Sequence, residues 1–255
     1  MNTINHKPTR LFIVLAGFFI TNAIVAEFIG VKIFALEDTL GLNPLEWNLF
    51  GQTGSLNLTA GVLLWPIVFI LTDVINEYFG RKGVKLLSYL TAGLIAYGFI
   101  IIFMAIDLVP ASWWPGSYKE QGVEDMQVAY AAVFGQGMWI IIASMVAFLV
   151  GQIVDAYTFY RVKKISGEQK IWLRATASTA VSQFIDSFIV IYIAFVLGPP
   201  KWSITLFLAV AFVNYFYKLF VAILLIPLLY VFHWLIDGFL GEELAKKLKR
   251  EALKD

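Results

Sequence analysis

Cysteine is absent from this 255-residue chain, which excludes disulfides, thiolate metal sites and cysteine nucleophiles. Histidine is scarce: His6 and His233 are the only two. That is too few for a histidine-based zinc or haem site, and a serine–histidine pair would have to use a terminal residue or one at a helix end. Charge is sparse as well, at 15% of residues against roughly a quarter in soluble domains. The formal net charge of +1 excludes nucleic-acid recognition through a broadly basic surface. No Gly-x-x-x-x-Gly-Lys-Ser/Thr sequence occurs, so the chain is not expected to hydrolyse ATP. Metal and cofactor sites are expected to be none.

What remains is apolar. Hydrophobic residues make up 60% of the chain, with 22 Phe, 11 Tyr and 8 Trp, and the mean hydropathy is +0.77. One aqueous core cannot hide that many aromatics, so most must face lipid. Six runs reach the roughly 20 apolar residues that a membrane helix needs: about 11–36, 57–79, 84–107, 129–160, 173–198 and 203–236. The first follows Lys7 and Arg10 but outlasts the roughly 7–15-residue core of a signal peptide, and is read as a retained helix.

The 19 Lys and Arg alternate by segment. Fifteen fall before the first run (Lys7, Arg10), after the second (Arg81, Lys82, Lys85), after the fourth (Arg161, Lys163, Lys164, Lys170, Arg174) and in the tail (Lys246, Lys247, Lys249, Arg250, Lys254). Lys119 and Lys201 fall in the intervening loops, and Lys32 and Lys218 within runs. The positive-inside rule then places both termini in the cytoplasm. The expected fold is an all-α polytopic membrane protein with six transmembrane helices, forming one domain over residues 1–255. Residues 241–255 are expected to be a charged, solvated cytoplasmic helix end, with Glu243 four residues ahead of Lys247. Trp113 and Trp114 read as an interfacial aromatic belt.

Charges within the apolar runs are the candidates for function, because a carboxylate at the bilayer centre costs at least about 2.5–3.5 kcal/mol. They are Glu27 and Lys32 in the first run, Asp73 and Glu77 in the second, Asp155 in the fourth, Asp186 in the fifth and Lys218 in the sixth, accompanied by Asn22, Asn76, Gln152, Gln183 and Asn214. Glu77 stands four residues before Arg81, so a local ion pair is its structural alternative. Gln152-x-x-Asp155 recurs as Gln183-x-x-Asp186. At that spacing amide and carboxylate share one helix face, and together they match the adjacent N–H donors and the carbonyl of a guanine-like edge. Proton or cation carriage is the other ordinary use of such carboxylates. Counted from the run ends at about 1.5 Å per residue, Asp155 lies only about 8 Å from its cytoplasmic end, well short of Asp186.

Three ordered segments carry a family resemblance: Thr72 to Arg81, Gly151 to Asp155 continuing through Phe159 and Lys163, and Arg174, Ser178 and Ser182 to Ser187, with Asn22, Ala26, Glu27 and Lys32 matching in the first run. In these the chain resembles the bacterial queuosine precursor transporter family, also called the vitamin uptake transporter family. The resemblance implies a six-span importer of 7-cyano-7-deazaguanine and 7-aminomethyl-7-deazaguanine in the bacterial inner membrane. It also implies a helix count similar to that of the substrate-binding subunits of energy-coupling-factor transporters. On this reading Asp155, Asp186, Gln152 and Gln183 bind the base edge, Asp73, Asn76 and Glu77 complete or gate the pocket, and Lys218, Glu27, Lys32 and Asn22 gate or pair. Partners are the 7-deazaguanine substrate and the lipid bilayer; a homodimer and an external energising module are both compatible with the sequence. The alternatives are a vitamin-type subunit needing an external ATPase, and a non-transporting scaffold whose charges lock helices together. An intramembrane enzyme built on a carboxylate pair stands behind them.

Overall fold

The computed structural model describes residues 6–135, 137–167 and 170–254. The first helix, α1 (Lys7–Ile29), opens with Pro8 in its first turn, where a missing N–H costs nothing. It ends before Lys32, which lies exposed in the following turn. The reading of Lys32 as an intramembrane charge is thereby corrected: the apolar run 11–36 continues past the helix into the first strand. Asn22 donates to Phe18 O of its own helix at 2.8 Å.

Residues 33–59 form a small structure of paired strands that hydropathy does not reveal. β1 (Ile33–Ala35) pairs antiparallel with β4 (Asn57–Thr59), with Ile33 opposite Thr59. Inside that ribbon lie the short α2 (Leu36–Thr39) and a second ribbon of β2 (Trp47–Leu49) and β3 (Gln52–Gly54). Phe50 and Gly51 turn it with positive φ angles of 53° and 74°. Glu37 organises the segment by accepting from Leu56 N at 2.7 Å and Leu45 N at 3.3 Å.

The long α3 (Trp65–Ile106) contains one non-helical residue, Gly80, at φ 67° and ψ −175°. The last turns of α1 meet both sides of that break. Ala26 O faces Gly61, just ahead of α3, and Phe28 packs on Phe99 with ring centroids 5.5 Å apart. A straight helix would separate Trp65 from Phe99 by roughly 50 Å. At the other end of α1, Phe12 packs on Phe79 at 4.9 Å. The chain therefore doubles back at Gly80, whose backbone angles a Cβ would strain. What reads as two runs joined by a basic loop is two helical limbs with a single-residue corner.

After α4 (Met126–Phe134), α5 (Met138–Ser166) and α6 (Ile171–Ile191) pack closely and antiparallel. Their buried seam is built of small residues, Ala143, Ala147, Gly151 and Ala156 against Ala175, Ser178 and Ser182, which lets the backbones approach. The first limb of α3 lies alongside α5 in parallel register, Thr72 bonding Gln152 and Asn76 bonding Ala156 O. α6 runs on into a π-helical stretch, Tyr192–Leu197. α7 (Ile204–Leu224) and α8 (Ile226–Leu240) are split at Leu225, because Pro227 withholds the N–H that would continue the ladder. Among the described residues five helical segments are long and apolar enough to cross a membrane, the doubled-back α3 among them. Phe18, Tyr97, Ile100, Met104, Phe216 and Phe220 stand exposed on the outside of this bundle, as lipid contact requires.

The tail is a correction. α9 (Glu242–Glu251) is not simply solvated: Leu244, Ala245 and Leu248 pack on the helical core. Lys249 Nζ meets Asp237 Oδ2 at 2.8 Å, and Tyr78, two residues before the corner, donates to Asp237 Oδ1 at 2.7 Å. Lys247 lies 3.9 Å from Glu251, in place of the expected partner Glu243. Apolar residues at 244, 245 and 248 make a stripe on one face that the high charge of the segment conceals. Asp255, the last residue of the expected tail, lies outside the described residues.

Candidate functional site

The polar side chains of α3, α5 and α6 meet in one buried cluster. Glu77 is its ionic anchor: Arg174 Nη2 lies 2.8 Å from Oε1 and Lys163 Nζ 3.1 Å from Oε2. Lys163 also donates to Glu77 O, and Arg174 Nη1 to Gly167 O. Glu77 thus belongs to a salt bridge across three helices and not to the local pair with Arg81; that guanidinium stacks over Tyr160 at 3.9 Å. The i,i+4 rule fails here because Gly80 breaks the helix between the two residues.

One turn outward, Ser178 donates to Asp73 Oδ1 at 3.4 Å and Ser182 to Asp155 Oδ1 at 2.9 Å. Thr72 donates to Gln152 Oε1 at 2.9 Å. Among the buried polar atoms with no hydrogen-bond partner among the described residues are Gln152 Nε2, Asp155 Oδ2, and both Nε2 and Oε1 of Gln183. A buried amide unpaired at both ends is costly unless something else meets it.

Gln183 lines an open cleft. Trp65, Phe69 and Tyr217 supply aromatic surface, Asp73, Thr179 and Lys218 the polar contacts. Its far wall is α7 and the start of α8. Lys218 Nζ is held by Asp186 Oδ2 at 2.6 Å, the pairing expected of a lysine facing intramembrane carboxylates. Glu27 accepts from Ser144 Oγ at 3.0 Å and is in electrostatic reach of Asp186.

The repeated Gln-x-x-Asp segments do lie on facing helices, but the antiparallel register sends them to different neighbours. Gly151 faces Asp186, with an added Cβ falling 3.6 Å from Asp186 Cβ, while Asp155 faces Ser182. Asp155 and Gln152 therefore stand behind the cleft wall, Asp186 serves Lys218, and Asp73 and Gln183 line the cleft. The depth mismatch between the aspartates also shrinks, because α5 runs on to Ser166 and puts Asp155 about 16 Å from the helix end. Trp65, Phe69 and Tyr217 were not singled out from sequence, and the serines 178 and 182 entered only through the family resemblance, without a role. The serines' recurrence every four residues toward Asp186 was the available signal.

Comparison with known proteins places this site in context. Residues 59–232 match a family described as "Putative vitamin uptake transporter". The chain is 27% identical over 224 residues to a Haemophilus influenzae protein named "Probable queuosine precursor transporter", covering 87% of this chain and 86% of that one. A Bacillus subtilis protein of the same name is 29% identical over 189 residues, covering 71% and 72%. The "Queuosine precursor transporter" of Escherichia coli K12 is 27% identical over 166 residues, covering 65% and 67%. No solved structure gives a significant match.

Proposed function

Because the chain belongs to the vitamin uptake transporter family, we propose that it imports queuosine precursors of the 7-deazaguanine type, the 7-cyano and 7-aminomethyl compounds. It is a transporter and not an enzyme, and a multi-pass protein of the bacterial inner membrane. The doubled-back α3 counts as two crossings on this reading, α7 with α8 as one. That makes six, with Lys7, the Gly80 corner and α9 on the cytoplasmic side, where the basic residues gather.

The observation that carries the substrate reading is the unpaired Gln183 amide beside the Asp73 carboxylate in an aromatic cleft. A guanine-like edge presents adjacent N–H donors to a carboxylate and a carbonyl to an amide N–H, and its flat ring suits Trp65 and Phe69. Asp73 and Gln183 replace Asp155 and Asp186 as the residues assigned to contact the base. Asp186 holds the Lys218 ammonium at the wall, while Glu77 and Asn76 fix the helices.

The test is a bacterium unable to make deazaguanines and lacking its own importer. Supplied with a low concentration of 7-cyano-7-deazaguanine, it should form queuosine in tRNA, seen as boronate-retarded migration, only when this gene is present, and lose it with Asp73→Asn. No queuosine with the protein confirmed in the membrane would overturn the assignment. Uptake by the purified protein alone in liposomes would exclude an obligate external energising module.

A further inference from the structure

The charges buried between α3, α5 and α6 do not balance. Asp73 and Glu77 come from α3, Asp155 and Lys163 from α5, and Arg174 from α6, all nine-tenths or more buried. Fully ionised, these are three carboxylates against two cations. Glu77 takes direct contacts from both cations, Arg174 and Lys163. Lys218 of α7 faces the same cleft but is occupied by Asp186 at 2.6 Å. That leaves Asp73 and Asp155, in electrostatic reach of each other and bonded by serines one turn apart on α6: Ser178 donates to Asp73 Oδ1 at 3.4 Å and Ser182 to Asp155 Oδ1 at 2.9 Å. Arg174 is the cation in electrostatic reach of Asp73.

Two carboxylates so placed, away from water, cannot both ionise cheaply, and one proton brings the cluster to neutrality. The atom to receive it is at hand. Asp155 Oδ2 is buried without a hydrogen-bond partner among the described residues, which costs more for a charged carboxylate oxygen than for the neutral carboxyl group. The two residues are also unequal. Asp73 lines the cleft; Asp155 does not.

We propose that Asp73 and Asp155 share one exchangeable proton that crosses the membrane with the substrate, making this transporter a proton symporter. The proposal rests on the reading in which Asp73 contacts the base. N–H donors of the base favour Asp73 as a carboxylate, so the proton of the loaded state resides on Asp155. The O–H bond formed when a proton is taken from the outer side is the bond broken on release to the cytoplasm. No other reactant is needed. The cleft-facing carboxylate couples the two: with the cleft empty, water reaching Asp73 lets the pair release its proton, whereas a base covering Asp73 excludes that water and makes a second charge costly, so substrate and proton bind together.

Purified protein is placed in liposomes carrying a lumenal pH dye, with the membrane potential clamped by potassium and valinomycin, and given labelled 7-cyano-7-deazaguanine. An inward proton gradient should raise the initial uptake several-fold, and substrate entry should acidify the lumen. Asp155→Asn, which cannot take up a proton, should abolish both effects while exchange of labelled for unlabelled substrate persists at a reduced rate. Wild-type uptake indifferent to the proton gradient, uptake driven by a sodium gradient in its place, or gradient-driven uptake by Asp155→Asn would each overturn the coupling. If Asp155→Asn fails to fold, the wild-type dye trace decides alone. Exchange without a gradient response removes only the coupling; absence of any exchange by the wild-type protein removes the precursor reading and this one with it.

Discussion

Arg174 Nη2 reaches Glu77 Oε1 at 2.8 Å with both side chains closed to solvent, which makes the pair a structural lock between α3 and α6. Removing one partner of a buried ion pair strands the other, at a cost of about 3–5 kcal/mol. Glu77→Gln would strand the Arg174 guanidinium and take one carboxylate contact from Lys163. It should therefore lower the unfolding temperature in detergent far more than Asp73→Asn, whose carboxylate has Ser178 as its direct donor. Equal melting of the two variants would show that Glu77 is not the anchor.

Gly80 holds the corner at φ 67° and ψ −175°, a region that residues with a Cβ enter at a cost of about 1–3 kcal/mol. Gly80→Ala should destabilise the protein by that amount, measured as loss of folded protein on thermal challenge. Glycine at 93, in helical backbone with open space around its Cβ position, is the control: Gly93→Ala should be neutral or stabilising.

Gln183→Leu separates binding from stability. The amide has no partner among the described residues, so an apolar side chain of similar size removes an unmet polar group and should leave the melting temperature unchanged or higher. Affinity for 7-cyano-7-deazaguanine should fall at least about tenfold, the value of one lost hydrogen bond with its unpaired partner. A ligand-dependent melting shift as large as that of the wild type would remove Gln183 from the site.

The paired-strand segment should be acid-sensitive. The N–H of Leu56, then that of Leu45, hold the Glu37 carboxyl below its ordinary range. Its folded pKa is depressed, so its contribution to stability is present above the ordinary carboxylate pKa and is lost as pH falls through the folded value. Proteolysis at residues 40–56 should accelerate as pH is lowered through the acidic range, and Glu37→Gln should flatten that dependence. A profile identical in wild type and variant would assign the acid effect elsewhere.

Composition and periodicity determine a great deal of this protein. Apolar runs of sufficient length dictate membrane helices, the gathering of Lys and Arg in alternate segments sets the expected orientation, and the cost of charge in lipid singles out Asp73, Glu77, Asp155, Asp186 and Lys218 as candidates. Those are local quantities, each readable along the chain. Which partner each charge finds is not local. Glu77 bonds Arg174 instead of Arg81 because Gly80 turns the chain between them. The paired Gln-x-x-Asp segments diverge because antiparallel packing sets Gly151, with no side chain, opposite Asp186, and Asp155 opposite Ser182. The ribbons arise from three-residue strands too short to leave a hydropathy signal, and α9 docks because its apolar stripe fits the corner of α3. That charges lie within apolar helices follows from local composition alone. Which of them neutralise one another and which are left facing the cleft follows from the fold, because helix register and a single backbone reversal set those distances.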